Sequence, residues 1–246
     1  MSAYFQPFLP GLICRVCLLR SCPVNAFLLL SESMAGQLGE LFSFLTLNTR
    51  LDLKSTALEY VLGMTGSEEG RSFIKRNQDV LRLLLELTTD AQPLISRDAH
   101  LALLNLSAVD DVAEHLIDLE VIPRFLEFLV NPKWTHADKV CMILSNLTRQ
   151  GKGAEAFVKA VTTDGKPSLY QLIDIFDRTG YNKDANFHYL GTVFSNVTQT
   201  STARILFLDR SRCIIPRLLP YTQFQGSVIR RGGVVGLLRN LCFEVG

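Results

Sequence analysis

The sequence predicts an all-α protein folded as a right-handed helical solenoid of about five repeats, and three observations predict it. First, four asparagines recur in near-identical apolar frames: Leu104-Asn105-Leu106-Ser107, Ser145-Asn146-Leu147-Thr148, Ser195-Asn196-Val197-Thr198 and Arg239-Asn240-Leu241-Cys242. They stand 41, 50 and 44 residues apart (146 − 105, 196 − 146, 240 − 196), a period too long for a heptad and typical of stacked helical units. Second, an apolar block recurs in step with them: its anchors Leu41, Leu83, Phe125, Leu172 and Leu218 lie 22, 22, 21, 24 and 22 residues before the asparagine slot. Third, no stretch shows the sustained alternation of a half-buried strand.

Taken in order, the first repeat carries the block Leu38-Gly39-Glu40-Leu41-Phe42 and the frame Leu62-Gly63-Met64-Thr65, with Gly63 in the asparagine slot. The second runs from Val80-Leu81-Arg82-Leu83-Leu84 to Asn105, and Ala99, Ala102, Leu103 and Leu106 keep the spacing of one helix face. In the third, Ile122-Pro123-Arg124-Phe125-Leu126 precedes Asn146, with Val140, Ile143, Leu144 and Leu147 on the buried face. The fourth runs from Leu169-Tyr170-Gln171-Leu172-Ile173 to Asn196, and the fifth from Ile215-Pro216-Arg217-Leu218-Leu219 to Asn240. Pro123 and Pro216 are expected one residue inside their helices, where a proline has no hydrogen bond to lose, and Arg124 and Arg217 on the outer face. Two elements repeat, so each unit reads as a helical hairpin. Breakers at 89–93, 131–133, 150–153 and 164–167 read as the separators between units. A period near 42 residues places the solenoid in the armadillo/HEAT-like class.

Composition bounds the function. An apolar fraction of 48% with 20% charge excludes a disordered chain, and 25 basic against 24 acidic residues leave a net charge of +1. That balance gives no general pull toward nucleic acid or an anionic membrane. Residues 34–246 are expected to form one elongated repeat domain. Residues 1–33 lie outside the repeat, with Pro7, Pro10, Pro23 and an apolar run from Val24 to Leu30 far shorter than the roughly 20 residues a spanning helix needs. This segment is expected to be a poorly ordered extension upstream of Met34. Cys141, Cys213 and Cys242 are expected inside helices as reduced thiols, and Cys14-Arg15-Val16-Cys17 is a lone C-x-x-C beside Cys22, which lacks the ligands of a zinc site. No cofactor or metal is implied.

The asparagines are the leading candidate site. Asparagine is only a moderate helix former, so its recurrence asks for a reason. One reading is a ladder of amides that binds the main chain of an extended peptide; the other is an inward bond that ties each helix end to the adjoining repeat. Spacing alone serves both. With their neighbours on the same face they give the candidate protein-binding residues Asn105, Lys139, Asn146, Arg149, Tyr189, Asn196, Arg230, Arg231, Arg239 and Asn240. Three of the asparagines also satisfy the N-glycosylation sequon, but at the repeat period inside packed helices, where an acceptor loop is not expected. The run Arg230-Arg231-Gly232-Gly233-Val234-Val235-Gly236 fits either an acidic ligand at a helix start or close helix packing with solvated arginines. Catalysis has little to work with: His100, His115, His136 and His188 are scattered, and no H-E-x-x-H, G-x-S-x-G or Walker loop occurs. Asp110-Asp111 reads as a cap for the next helix.

Gly180-Tyr181-Asn182, Phe187-His188-Tyr189-Leu190, Phe194-Ser195-Asn196-Val197-Thr198-Gln199 and the block from Val228 to Asn240 resemble the eukaryotic HGH family of armadillo-like proteins. The resemblance covers about Leu38 to Glu244 and is strongest from Tyr181 onward. It implies a non-enzymatic cytosolic cochaperone, acting as a monomer, that helps translation elongation factor 2 to fold together with the ring-shaped cytosolic chaperonin. Members of that family continue with further repeats after the Cys242-Phe243-Glu244 position, so the chain reads as truncated at its C-terminal end; a monomer is expected, with self-association through the open end as the alternative. The alternatives are a general armadillo-type peptide-binding scaffold, or a truncated form lacking activity. Nuclear-import adaptors place a tryptophan four residues before each asparagine; those positions hold Glu59, Leu101, Met142, Thr192 and Gly236 here, and Trp134 falls in a loop. Recognition of nuclear signals is therefore disfavoured.

Overall fold

The structure, a computed structural model, describes residues 39–243. The expectations for residues 1–33, for the thiols of Cys14, Cys17 and Cys22, and for the chain's last three residues lie outside them. The chain divides into two bodies, Met1–Ser43 and Phe44–Gly246. In the first, residues 39–43 are helical and the Ser43 hydroxyl donates to the Glu40 carbonyl.

The second body is a succession of helices. The first repeat contributes its last helix, α1 (Leu51–Thr65). The second repeat comprises α2 (Glu68–Arg76), α3 (Asp79–Leu87) and α4 (Pro93–Ser107), and the third α5 (Asp110–Asp118), α6 (Val121–Leu129) and α7 (Ala137–Thr148). The fourth holds α8 (Gly151–Thr162), α9 (Leu169–Asp177) and α10 (Leu190–Val197); the fifth holds α11 (Ser201–Phe207), α12 (Ile214–Leu218) and α13 (Val228–Leu241). Among the described residues no strand forms beyond one isolated bridge between Asn182 and Ala185.

The repeat is thus a triplet and not a hairpin. The additional helix opens each unit as α2, α5, α8 and α11; in two of the four it buries few apolar side chains, Ile74 in α2 and Ala203 and Phe207 in α11, whereas α5 buries Val112, Ala113, Leu116 and Ile117 and α8 buries Phe157, Val158 and Val161. Small residues let it cross tightly over the helix before it. A Cβ on Gly70 would lie 2.8 Å from the Met64 Cα, and one on Gly153 2.7 Å from the Leu147 carbonyl carbon. Residues 150–153, read as a separator, are consequently the start of α8, while the segments after α3, α6 and α8 lie within repeats. Side-chain caps from Ser67, Ser168, Thr200 and Ser227 open α2, α9, α11 and α13.

The third helices α1, α4, α7, α10 and α13 pack side by side, and the second helices insert behind them. Ala99, Ala102, Leu103, Leu106, Val140, Ile143, Leu144 and Leu147 are all buried, as the spacing predicts. Each such Leu or Ile removed from water stabilises the fold by roughly 1.5–3 kcal/mol. The anchors Phe125, Leu172 and Leu218 are core, whereas Leu83 is half-buried and Leu81 and Leu84 take its place. α6 and α12 begin one residue earlier than expected, after Glu120 (φ 53°) and Cys213 (φ 50°), so Pro123 and Pro216 are third in their helices. The first-turn amides have no intrahelical acceptor, which is why that position also tolerates proline. Cys213 is exposed at this left-handed position and Cys242 caps α13 in solvent; Cys141 alone of the three is buried within its helix.

Arg124 and Arg217 depart from the outer face. Arg124 reaches back to the Thr88 hydroxyl (3.2 Å) and over the Phe128 ring (5.6 Å), while Arg217 pairs with Asp174 (2.8 Å) and Asp177 (3.1 Å) of the preceding repeat. Lys54 and Asp90 form a buried ion pair at 2.6 Å, 5% and 4% exposed, and Lys54 also donates to the Leu47 carbonyl. Exposed pairs such as Lys152 with Asp118 and Lys166 with Glu127 also cross between repeats, but each contributes at most about 1 kcal/mol.

Candidate functional site

The asparagine slots form a chain of bonds along the third helices. Asn105 Nδ2 donates to Thr65 Oγ1 (2.8 Å), and Asn146 Nδ2 to Ser107 Oγ (2.9 Å). Asn196 Nδ2 donates to the Ser145 carbonyl (2.9 Å) and Thr148 Oγ1 (3.2 Å), and Asn240 Nδ2 to the Ser195 carbonyl (2.9 Å) and Thr198 Oγ1 (3.2 Å). Every acceptor hydroxyl belongs to the preceding repeat, two residues after its slot. Those hydroxyls are buried, and each donates its own proton down its helix: Thr65 to the Leu62 carbonyl, Ser107 to Leu104, Thr148 to Leu144 and Thr198 to Phe194. A hydroxyl can donate once and still accept, so it serves both bonds. The sequon pattern is therefore the signature of the ladder: the Ser or Thr is there to receive the next amide.

Inward bonding is thus what the amide nitrogens do. The amide oxygens of Asn105, Asn146, Asn196 and Asn240 accept no hydrogen bond from the described residues, and the side chains are half-buried. What remains for a ligand on this face is a row of acceptors. On the same helices Lys139 and Tyr189 are half-buried and Arg239 is exposed, while Arg149 at the end of α7 pairs with Asp110. Between the starts of α1 and α4, Arg50, Leu51, Asp52, Ser55, Gln92 and Leu94 line an open depression whose leucines are exposed. The positions four before the slots, Glu59, Leu101, Met142, Thr192 and Gly236, offer mixed side chains.

Arg230 corrects the sequence reading. It is 8% exposed and no part of an open surface. Its Nη1 donates to the Phe176 carbonyl and Nη2 to the Asn186 carbonyl, both at 2.8 Å, with the guanidinium 4.2 Å from the Phe176 ring and near Tyr221 and Phe224. Burial holds its pKa below the usual arginine value. Arg231 is half-buried and donates to the Phe224 carbonyl (3.1 Å), so neither arginine is the solvated charge expected. The close packing does occur: a Cβ on Gly233 would lie 2.6 Å from the Gly191 carbonyl oxygen, so α10 and α13 meet backbone to backbone.

The segment linking α9 to α10 carries part of the family resemblance, and Tyr181, Asn182 and Phe187 in it bond to the preceding repeat. Asn182 Nδ2 donates to the Trp134 carbonyl (2.8 Å) and the Tyr181 hydroxyl to the Val130 carbonyl. The Asp138 carboxylate receives the amides of Asn186 (3.1 Å) and Phe187 (2.7 Å), holding Phe187 at φ 55°. Nothing in the local sequence around Asp138 signals partners 48 and 49 residues away.

Among the described residues, burial shifts the pKa values of His100, His136 and His188. His100 is buried, and burial pushes its pKa to about 4; burial lowers His136 as well, and burial and then Arg230 lower His188. Asp110 and Asp111 do not cap α5, whose N-cap is Val109; they sit in its first turn and pair with Arg149 and Lys75. Among the described residues no group of three or more metal-ligating side chains converges, and no helix is long and apolar enough to cross a membrane.

Comparison with known proteins places these features. A family model described as a domain of unknown function, DUF383, matches residues 128–246. The chain is 41% identical over 217 residues to a Danio rerio protein named Protein HGH1 homolog, covering 88% of this chain and 56% of that one. It is 38% identical to the Drosophila melanogaster homologue (83% and 58% covered) and 36% identical to the human one (86% and 55%). The chain thus spans little more than half the length of these relatives. Among solved structures it resembles a designed armadillo repeat protein, with a TM-score of 0.67 at 13% identity over 85% of this chain and 84% of that one. Another, in complex with the peptide (KR)4, aligns with a TM-score of 0.66 at 13% identity, covering 85% and 83%.

Proposed function

Because the chain belongs to the HGH1 family over the stretch it shares with these relatives, we propose that it is a non-enzymatic cytosolic cochaperone, helping translation elongation factor 2 to fold with the cytosolic chaperonin. The observation that carries this reading is the 41% identity over 217 residues, beside a family match over residues 128–246 that takes in the segment between α9 and α10 and the arginine-glycine block. The third-helix face supports it, since half-buried amides, the exposed leucines at 51 and 94 and mixed charges suit a polypeptide client better than a polyanion. The partners, the cytoplasmic location and monomeric action belong to the same proposal.

A pulldown from translating cells tests it. The chain is expected to enrich elongation factor 2 and chaperonin subunits alongside the complete zebrafish homologue; enrichment by the homologue and none by this chain would contradict the proposal. The second reading, a general scaffold for extended peptides, draws on the unengaged amide oxygens, which can accept main-chain N–H groups. It is distinguished by a peptide array, where a short sequence motif would emerge in place of a folding client.

A further inference from the structure

We propose that one buried water molecule bridges Trp134 Nε1 and His100 Nε2, tying the segment between α6 and α7 to the third helix of the preceding repeat. His100 is 0% exposed, and its Nδ1 lies 2.7 Å from the Ser96 carbonyl oxygen. A carbonyl can only accept, so Nδ1 carries the proton. Enclosed by Phe125, Phe128 and Trp134, with its pKa pushed to about 4, the ring is neutral and Nε2 is left as a lone-pair acceptor. No protein atom donates to it.

Trp134 presents the complement. Its indole N–H can only donate, is buried, and has no protein acceptor; the two rings lie 6.0 Å apart, tilted by 60°. A donor and an acceptor both lacking partners in one enclosed cluster are satisfied together by a molecule that accepts from one and donates to the other. Water does both. The Trp134 ring is already fixed by stacking on Phe128 at 4.0 Å, so the indole cannot swing to solvent without losing that contact. The half-buried His136 ring lies 4.9 Å from the His100 ring, tilted by 55°.

The bridge matters because of what hangs on the segment it holds. The carbonyls of Val130 and Trp134 receive Tyr181 and Asn182 of the fourth repeat, and Asn186 in turn is held by Arg230 of the fifth. The water links the second repeat into this succession of bonds along one edge of the solenoid.

The test uses the intact chain. A crystal structure at a resolution that shows ordered solvent is expected to place one water within hydrogen-bond distance of both atoms, and nitrogen NMR to show His100 protonated at Nδ1 alone. In Trp134→Phe, which keeps the stack on Phe128 and removes the N–H, amide exchange of residues 178–189 is expected to rise about tenfold by local opening. An empty site, a direct nitrogen-to-nitrogen bond, or an Nε2-protonated His100 would overturn the proposal. Unchanged exchange at 178–189 in a folded Trp134→Phe would equally overturn the coupling.

Discussion

Replacing Gly233 with valine is expected to destabilise the junction of the fourth and fifth repeats by more than about 3 kcal/mol. The Cβ would fall 2.6 Å from both the Gly191 carbonyl oxygen and the Thr192 nitrogen, backbone atoms that cannot swing aside as the end of a side chain can. Relief requires α13 to move off α10, and Val234 and Leu237, buried in that contact, would lose it. Gly232 is the control, since nothing lies within 4 Å of a Cβ there and its φ is helical. Gly232→Ala is expected to match or exceed wild-type stability, by up to about 1 kcal/mol from helix propensity. Urea denaturation of both variants checks the pair, and a Gly233→Val protein as stable as wild type would refute the packing.

Arg230→Met is expected to cost about 3 kcal/mol. Methionine fills much of the space among Phe176, Tyr221 and Phe224, so the loss comes from the Phe176 carbonyl, left buried without its donor at roughly 1–3 kcal/mol, and in smaller part from the part-buried Asn186 carbonyl. Exchanging a buried charge for an apolar side chain can be neutral when both partners of an ion pair go together. Here the acceptors are backbone and stay, so the penalty dominates. Arg230→Lys is not expected to rescue it, because one ammonium cannot reproduce the planar fork spanning two carbonyls. Thermal melts of the two variants decide the matter, and full rescue by lysine would show that only charge is needed.

The sequence made the third helices legible because their apolar face is long and the asparagine marks a fixed phase. The opening helix α2 was not legible, since it buries only Gly70 and Ile74 and its tight crossing depends on a glycine that resembles a breaker. The same ambiguity turned Gly151-Lys152-Gly153 into a separator when it is the start of α8. At the candidate site, period exposed the asparagines, with the Ser or Thr two residues on read only as sequons, yet could not say which way the amide faced: both directions place the residue at the same phase. Arg230 misled because arginines are rarely buried, and the groups that bury it, Phe176, Tyr221 and Phe224, are set by tertiary packing and not by the local pattern. The residues behind the family resemblance around Tyr181 and Phe187 were recognisable without being explicable, because Val130, Trp134 and Asp138, which hold them, sit in the preceding repeat.

Each asparagine locks its repeat to the one before through a buried hydroxyl. A double-mutant cycle of Asn146→Ala and Ser107→Ala, with stability read from urea denaturation of the single and double variants, tests it most directly. The bond at 2.9 Å predicts a coupling free energy of about 1 kcal/mol, with the second substitution costing less once the first is made. Strictly additive losses would mean the two side chains stabilise the fold independently, and would contradict the ladder.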